Sequence, residues 1–255
     1  MEKFFGFEQL KTDVKTEVRA GVATFLTMAY IVVVNPAILS ATGMPFAGVL
    51  TATVLVAAVS SILMGVVANL PFALAPGMGI NAFFTFTLVL QSGASWQSAL
   101  GAVFVSGIVF IALSVFGIRE RIIEAIPASV RYGVAAGIGL FLALIGLEWV
   151  GFVADDPATL VTFGGLTPQV GIFAVSLFVT GFMVMRRIPG ALIYGIAGTS
   201  IVALVASNMV AAAGGEAFVS APEALFALPS FELFFQLDIS AALSVGMIVP
   251  VFTLL

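Results

Sequence analysis

Residues 20 to 118 run without a single Asp, Glu, Lys or Arg, and their apolar positions are nearly continuous rather than spaced at one helical or strand period. A helix crossing ~30 Å of hydrocarbon needs ~20 such residues, so this stretch holds several crossings. Turn-forming groups divide it at Gly43-Met44-Pro45, at Asn69-Leu70-Pro71 and from Gln91 to Ser98. The segments between them, 20–41, 47–68, 72–90 and 99–118, are read as spans 1 to 4. Charges return at Arg119, Glu120, Arg121, Glu124 and Arg131, which form a polar link. A fifth span follows at 132–153, closed by Asp155-Asp156-Pro157, and a sixth at 169–185. Arg186-Arg187-Ile188-Pro189-Gly190 makes the next turn, and a seventh span covers 191–213. The link from Glu216 to Asp238 precedes an eighth apolar run, which begins at Ile239 and is still apolar at Leu255. The pattern predicts an all-α integral membrane protein, and the unflanked apolar end is read as that of an N-terminal fragment.

Composition narrows the function classes. Of 255 residues 61% are apolar and 9% charged, with a mean hydropathy of +1.22. A soluble domain carries about 25% charged residues, so a soluble enzyme is excluded. With no His and no Cys, the chain cannot build a His or Cys zinc site, a haem axial pair, a disulfide framework or a Ser-His nucleophile system. No cofactor is expected. A net charge of −4 and a sequence pI near 4.7 argue against nucleic acid, which is bound by basic stripes.

The nine basic residues fall on one side of this segmentation. Lys3, Lys11, Lys15 and Arg19 precede span 1, Arg119, Arg121 and Arg131 follow span 4, and Arg186 and Arg187 follow span 6. The opposite loops carry only acids: Asp155, Asp156, Glu216, Glu223 and Glu232. The positive-inside rule then places the amino terminus in the cytoplasm of a multi-pass plasma-membrane protein. Within residues 1–19, which lack a cleavable signal, Phe4, Phe7, Leu10, Val14 and Val18 recur at helical spacing and predict an amphipathic segment on the inner leaflet. A second interfacial helix is predicted on the outer side over 224–236.

Span 3 departs from the other spans. Between Pro71 and Asn81 the chain reads P-F-A-L-A-P-G-M-G-I-N, and Pro76, Gly77 and Gly79 oppose a continuous helix. Only Ile80 to Leu90 is free of such breaks, and as a helix it rises about 16 Å, roughly half the hydrocarbon. An extended piece over 72–78 must cover the other half, so a short strand joined to a half-helix is predicted. Extended backbone at membrane depth survives only against protein or a wet cavity, because lipid cannot satisfy its polar groups. The amino end of the half-helix, around Gly79 to Ala82, offers free N–H donors and a positive dipole end near the midplane. Gly77, Met78, Gly79 and Asn81 are therefore candidate substrate-binding residues; the competing reading is a kinked ordinary span with Asn81 as its cap. Asn35, before Pro36 in span 1, is a second-tier candidate that either re-satisfies a freed carbonyl or faces the same cavity. Glu148, one turn from the outer end of span 5, is expected to snorkel to the headgroups. Gly133, Gly137 and Gly139 include a G-x-x-x-G spacing, expected to pack closely on another helix.

Three runs carry a resemblance: T-F-L-T-M-A-Y-I-V-V-V-N-P-A-I-L at 24–39, L-P-F-A-L-A-P-G-M-G-I-N-A-F-F at 70–84, and R-R-I-P-G-A-L-I-Y-G-I at 186–196. They resemble the purine permeases, specifically the azaguanine-like guanine, hypoxanthine and adenine branch of the nucleobase–cation symporter family, over essentially the whole chain. The resemblance implies a 14-span fold of two inverted seven-span repeats, in which a strand and half-helix on spans 3 and 10 meet at the substrate. It implies proton-coupled uptake by movement of a core domain against a gate domain. Residues 1–19 would then be a cytoplasmic segment, 20–118 half of the core, 132–213 half of the gate, 214–238 an extracellular link and 239–255 the start of span 8. The family's G-x-N maps onto Gly79 and Asn81, while its span 8 and 10 carboxylates would lie beyond Leu255. A purine is flat and offers donors and acceptors along its edges, so an Asn amide suits it, with one of Phe83, Phe84 or Phe72 stacking on the ring, Phe83 being preferred. The partners expected are a purine nucleobase, the bilayer and, as an oligomer, a second copy of the chain. The alternatives are a small-anion transporter using the same half-helix end, such as one for sulfate or bicarbonate, and a channel or structural membrane subunit.

Overall fold

The computed structural model describes residues 5–7, 12–220 and 228–243. Helices dominate. The first predicted span is two helices, α1 (Val14–Met28) and α2 (Ile31–Ser40), separated by a turn at Ala29 and Tyr30. Next come α3 (Phe46–Val67), α4 (Met78–Ala82) continued by a π-helix (Phe83–Gln91), α5 (Trp96–Val115), α6 (Ile118–Ala125) and α7 (Ala128–Trp149). A two-stranded hairpin, β1 (Val153–Asp156) and β2 (Leu160–Phe163), leads to α8 (Pro168–Met185), α9 (Ala191–Ala212) and the short α10 (Ile239–Ala242). Among the described residues, six stretches are long and apolar enough to cross a membrane: Val14–Ser40, α3, α5, α7, α8 and α9.

Capping residues fix several of these starts. Asp13, Ser95 and Thr167 each accept a bond from a backbone N–H three residues on, which satisfies a donor that the first helical turn leaves open. Asp238 does the same for Ala241 at α10. In the hairpin turn, the N–H groups of Thr159 and Ala158 and the Thr159 hydroxyl hold the Asp156 carboxyl below its ordinary value.

The structure differs from the sequence expectations at several places. No strand forms over residues 69–77, which are irregular chain: a strand needs a ladder, and no described residue supplies one there. The polar link after span 4 contains α6, a helix of eight residues where the sequence predicts only a polar link. Residues 232–235 form a turn rather than part of an interfacial helix, and 224–227 lie outside the described residues. Of the predicted amino-terminal amphipathic segment, Phe4 and Leu10 lie outside the described residues, and Val14 and Val18 belong to α1. No described atom comes within 4 Å of a Cβ built at Gly133, Gly137 or Gly139, so the expected packing contact is not made among the described residues.

The chain divides into two compact units. One takes residues up to 30 together with 139–227; in it α8 and α9 pack side by side, and α9 also touches α1, where Leu26 Cδ1 would lie 3.4 Å from a Cβ at Gly190. The other takes 31–138 and residues from 228 on. Its core is built from Met44, Val49, Phe84, Leu88 and Ala99, with Leu39, Phe83, Trp96, Val103 and Leu233 against them. There α10 is seated on α5: Asp238 N–H donates to the Gln97 carbonyl at 3.0 Å, and Ala242 buries against Ala102.

Candidate functional site

The interrupted third span lies within the second unit. Its irregular part, 69–77, starts at Asn69, which takes the left-handed conformation (φ 51°), with Leu70 N–H returning to the Met64 carbonyl. One side chain of α3 then serves the exposed backbone of Leu74. The Ser61 hydroxyl accepts from Leu74 N–H at 2.9 Å and donates to the Leu74 carbonyl at 3.2 Å, in place of a neighbouring strand.

The helix that follows starts uncapped. Gly77, the residue before α4, is extended (φ −81°, ψ 117°) and has no side chain to accept a bond. The first intrahelical bond runs from Asn81 N–H to the Gly77 carbonyl at 3.1 Å, which leaves the N–H groups of Met78, Gly79 and Ile80 without acceptors inside the helix. From Phe83 the helix widens to the π form, a rare geometry that is frequent at functional sites.

Side chains on one face fasten this helix to α2. Asn81 and Thr85 stand four residues apart and so share a face. The Asn81 amide donates to Asn35 Oδ1, and the Thr85 hydroxyl, fully buried, donates to the Ile38 carbonyl at 3.3 Å. Asn35 in turn donates through Nδ2 to the Thr53 hydroxyl of α3 at 2.7 Å, and Thr53 donates to the Val49 carbonyl at 2.7 Å. Asn35 and Thr53 are each only 3% exposed. Four polar groups on three helices thus form one continuous buried line ending at Asn81, which is half-buried.

The sequence candidates fall into distinct places. Gly77 is exposed and Met78 buried; Gly79 is half-buried, with Ile138 of α7 at 3.4 Å from the position of an added Cβ. Among the described residues Asn35 bonds no backbone carbonyl through its side chain; it donates to Thr53 and accepts from Asn81, and so stands behind Asn81. Phe84 is a core residue at 3% exposure, which removes it as a stacking candidate; Phe83 is half-buried against the same core, and Phe72 is exposed. Thr53, Ser61 and Thr85 were not singled out by sequence reasoning. A threonine or serine inside an apolar span satisfies its hydroxyl on its own helix in most settings, so its presence alone carries no signal.

Elsewhere the features are less suited to a polar ligand. A cavity of about 560 Å³ between α8 and α9 is lined by Gly171, Ser176, Thr180, Gly195, Gly198 and Thr199 among apolar side chains, with no carboxylate or basic group. Glu148 is exposed in the last turn of α7. Among the described residues, no group of Asp and Glu could hold a metal ion.

A Permease family model (Xan_ur_permease) matches residues 15–255. The guanine/hypoxanthine permease PbuO of Bacillus subtilis is 41% identical over 233 residues, 90% of this chain and 54% of its own. The adenine permease AdeP of Escherichia coli is 42% identical over 202 residues, 79% of this chain and 45% of its own. The guanine/hypoxanthine permease PbuG of Bacillus subtilis is 42% identical over 215 residues, covering 80% and 49%. The chain spans about half the length of the curated relatives it matches.

Proposed function

The chain belongs to the Permease family, a family of transporters and not of enzymes, and from that premise we propose that it forms the first of two inverted seven-span repeats of a purine nucleobase permease. Spans 1–4 form half of the substrate-carrying core and spans 5–7 half of the gate, in a 14-span fold that works by elevator-type alternating access. Transport is symport with protons, and the amino terminus faces the cytoplasm of the plasma membrane. The names of the relatives, two guanine/hypoxanthine permeases and an adenine permease, support a purine substrate over a small anion.

One observation carries the site: a half-buried carboxamide, Asn81, at the start of an uncapped helix and braced from behind by buried Asn35. The carboxamide matches a purine edge with a paired donor and acceptor, and the N–H groups of Met78 and Gly79 supply further donors to ring nitrogens or to a carbonyl. Gly77 and Gly79 keep the approach free of side chains, and Phe83 is the ring offered for stacking. Spans 1–4 hold no Asp, Glu, Lys, Arg or His between residues 20 and 118, so the proton is carried by groups outside this core half.

Uptake by the full-length protein tests the assignment. Leaving a purine edge atom unpaired in a water-poor site costs about 1–3 kcal/mol, so Asn81→Ala should weaken apparent affinity roughly tenfold at unchanged surface amount. Unchanged affinity for hypoxanthine, guanine and adenine would make Asn81 a purely structural residue.

A further inference from the structure

We infer that Thr53 sets the polarity of the Asn81 carboxamide, acting through Asn35, and thereby decides which purine edge the site accepts; this rests on Asn81 being a purine contact. The chain of bonds has a direction fixed at its far end. The Thr53 hydroxyl has one proton and gives it to the Val49 carbonyl at 2.7 Å, a group that can only accept. Its oxygen is therefore left as an acceptor, and it faces the Asn35 side chain at 2.7 Å. An amide oxygen in that position would oppose another lone pair, so Asn35 is held with its NH2 toward Thr53 and its Oδ1 toward Asn81. That Oδ1 accepts from Asn81 Nδ2. Asn81 is thus fixed with its nitrogen turned inward, and its Oδ1 and second N–H remain as the edge for a ligand. Among the described residues nothing bonds to Asn81 Oδ1. Thr53 and Asn35 are buried on every side, so water does not replace either partner.

Purines differ at this edge in order, not in shape. A 6-oxopurine offers a carbonyl acceptor beside an N1–H donor, whereas a 6-aminopurine offers an amino donor beside an N1 acceptor. A carboxamide free to turn over matches both. One locked by a committed acceptor presents oxygen and N–H in a single order, so in a given ligand pose it pairs with one class and opposes the other. Thr53 is a positioning residue, and selectivity is set by a hydroxyl that the base never touches.

Thr53→Val keeps the side-chain shape and removes the hydroxyl; Thr53→Ser keeps the hydroxyl. In the full-length protein, uptake of labelled hypoxanthine is competed with unlabelled hypoxanthine and adenine, and the ratio of the two apparent affinities is compared at matched surface amount. Thr53→Val should bring that ratio at least ~5-fold closer to one, and Thr53→Ser should keep the parental ratio. Should Thr53→Val not reach the membrane, Asn35→Ala, which also releases Asn81, is expected to give the same fall. A parental ratio in these variants, or a parent whose two affinities already agree, overturns the inference. Asn81→Ala separates the layers: unchanged affinity for every purine there removes the site itself, while a loss there with Thr53→Val unaltered removes only the role of Thr53.

Discussion

Replacing Gly101 by alanine tests how closely α10 is seated on α5. A Cβ at this position would stand 2.2 Å from the Asp238 carbonyl oxygen, 2.8 Å from its carbonyl carbon and 2.9 Å from Ala242 Cβ. Two of these neighbours are backbone atoms, which cannot swing aside as a side-chain tip can. Ordinary contact starts at 3.4 Å, so the chain at 238 must retreat by about 1 Å, an overpacking of the kind that costs about 1–3 kcal/mol. The retreat also breaks the 3.0 Å bond from Asp238 N–H to the Gln97 carbonyl, about 1 kcal/mol more. Alanine recovers about 1 kcal/mol of helix propensity relative to glycine. The net loss expected is about 1–3 kcal/mol, read as a lower midpoint of thermal unfolding in detergent for the full-length protein. Gly107→Ala on the same helix is the control, because nothing lies within 4 Å of its added Cβ; it should be neutral or slightly stabilising. Equal midpoints for the two variants would refute the seating of α10 against α5.

Gly79→Val should lower stability by about 1–3 kcal/mol and abolish uptake, because a first side-chain atom already meets Ile138 at 3.4 Å and a β-branched one must go further. Gly77→Ala, where φ is ordinary and the space open, should keep the parental melting midpoint; a loss of purine affinity without a loss of stability would mark ligand contact there. A cysteine placed at Arg187 should resist an impermeant thiol reagent in intact cells and react after permeabilisation, while one at Asp156 should react in intact cells. The chain has no cysteine of its own to interfere, and the reverse pattern would invert the orientation.

Much of the fold could be read from where charges and turn formers interrupt the apolar text. Span ends at Met185 and Ala191 follow from the Arg186-to-Gly190 turn, and α7 ends within a few residues of the predicted boundary. Two things were not legible. The hairpin after α7 depends on pairing between short segments, Val153 with Phe163 and Asp156 with Leu160, which no single-strand pattern announces. The missing strand over 69–77 shows the converse: extended propensity and two prolines are local, whereas a ladder needs a second chain segment in register. At the site, Pro76, Gly77 and Gly79 announced the break, and Asn81 stood out as a lone amide in an apolar run. The roles of Asn35 and Thr53 could not be read, because they depend on three helices meeting side by side.

The nine-residue π segment behind Asn81 has a consequence for how such a site can be retuned. A π-helix is closed by N–H groups that reach back five residues instead of four, so the segment holds more residues per turn than an α-helix would. Asn81 and Thr85 are tied to α2 at one end, and Leu88 is locked into the core at the other. Deleting a residue between them would tighten the coil and change the angular phase between the two anchors. The amide would then point elsewhere with every lining side chain still the same. Helical pitch, and not only side-chain identity, is thereby a variable through which this half-helix can be re-aimed.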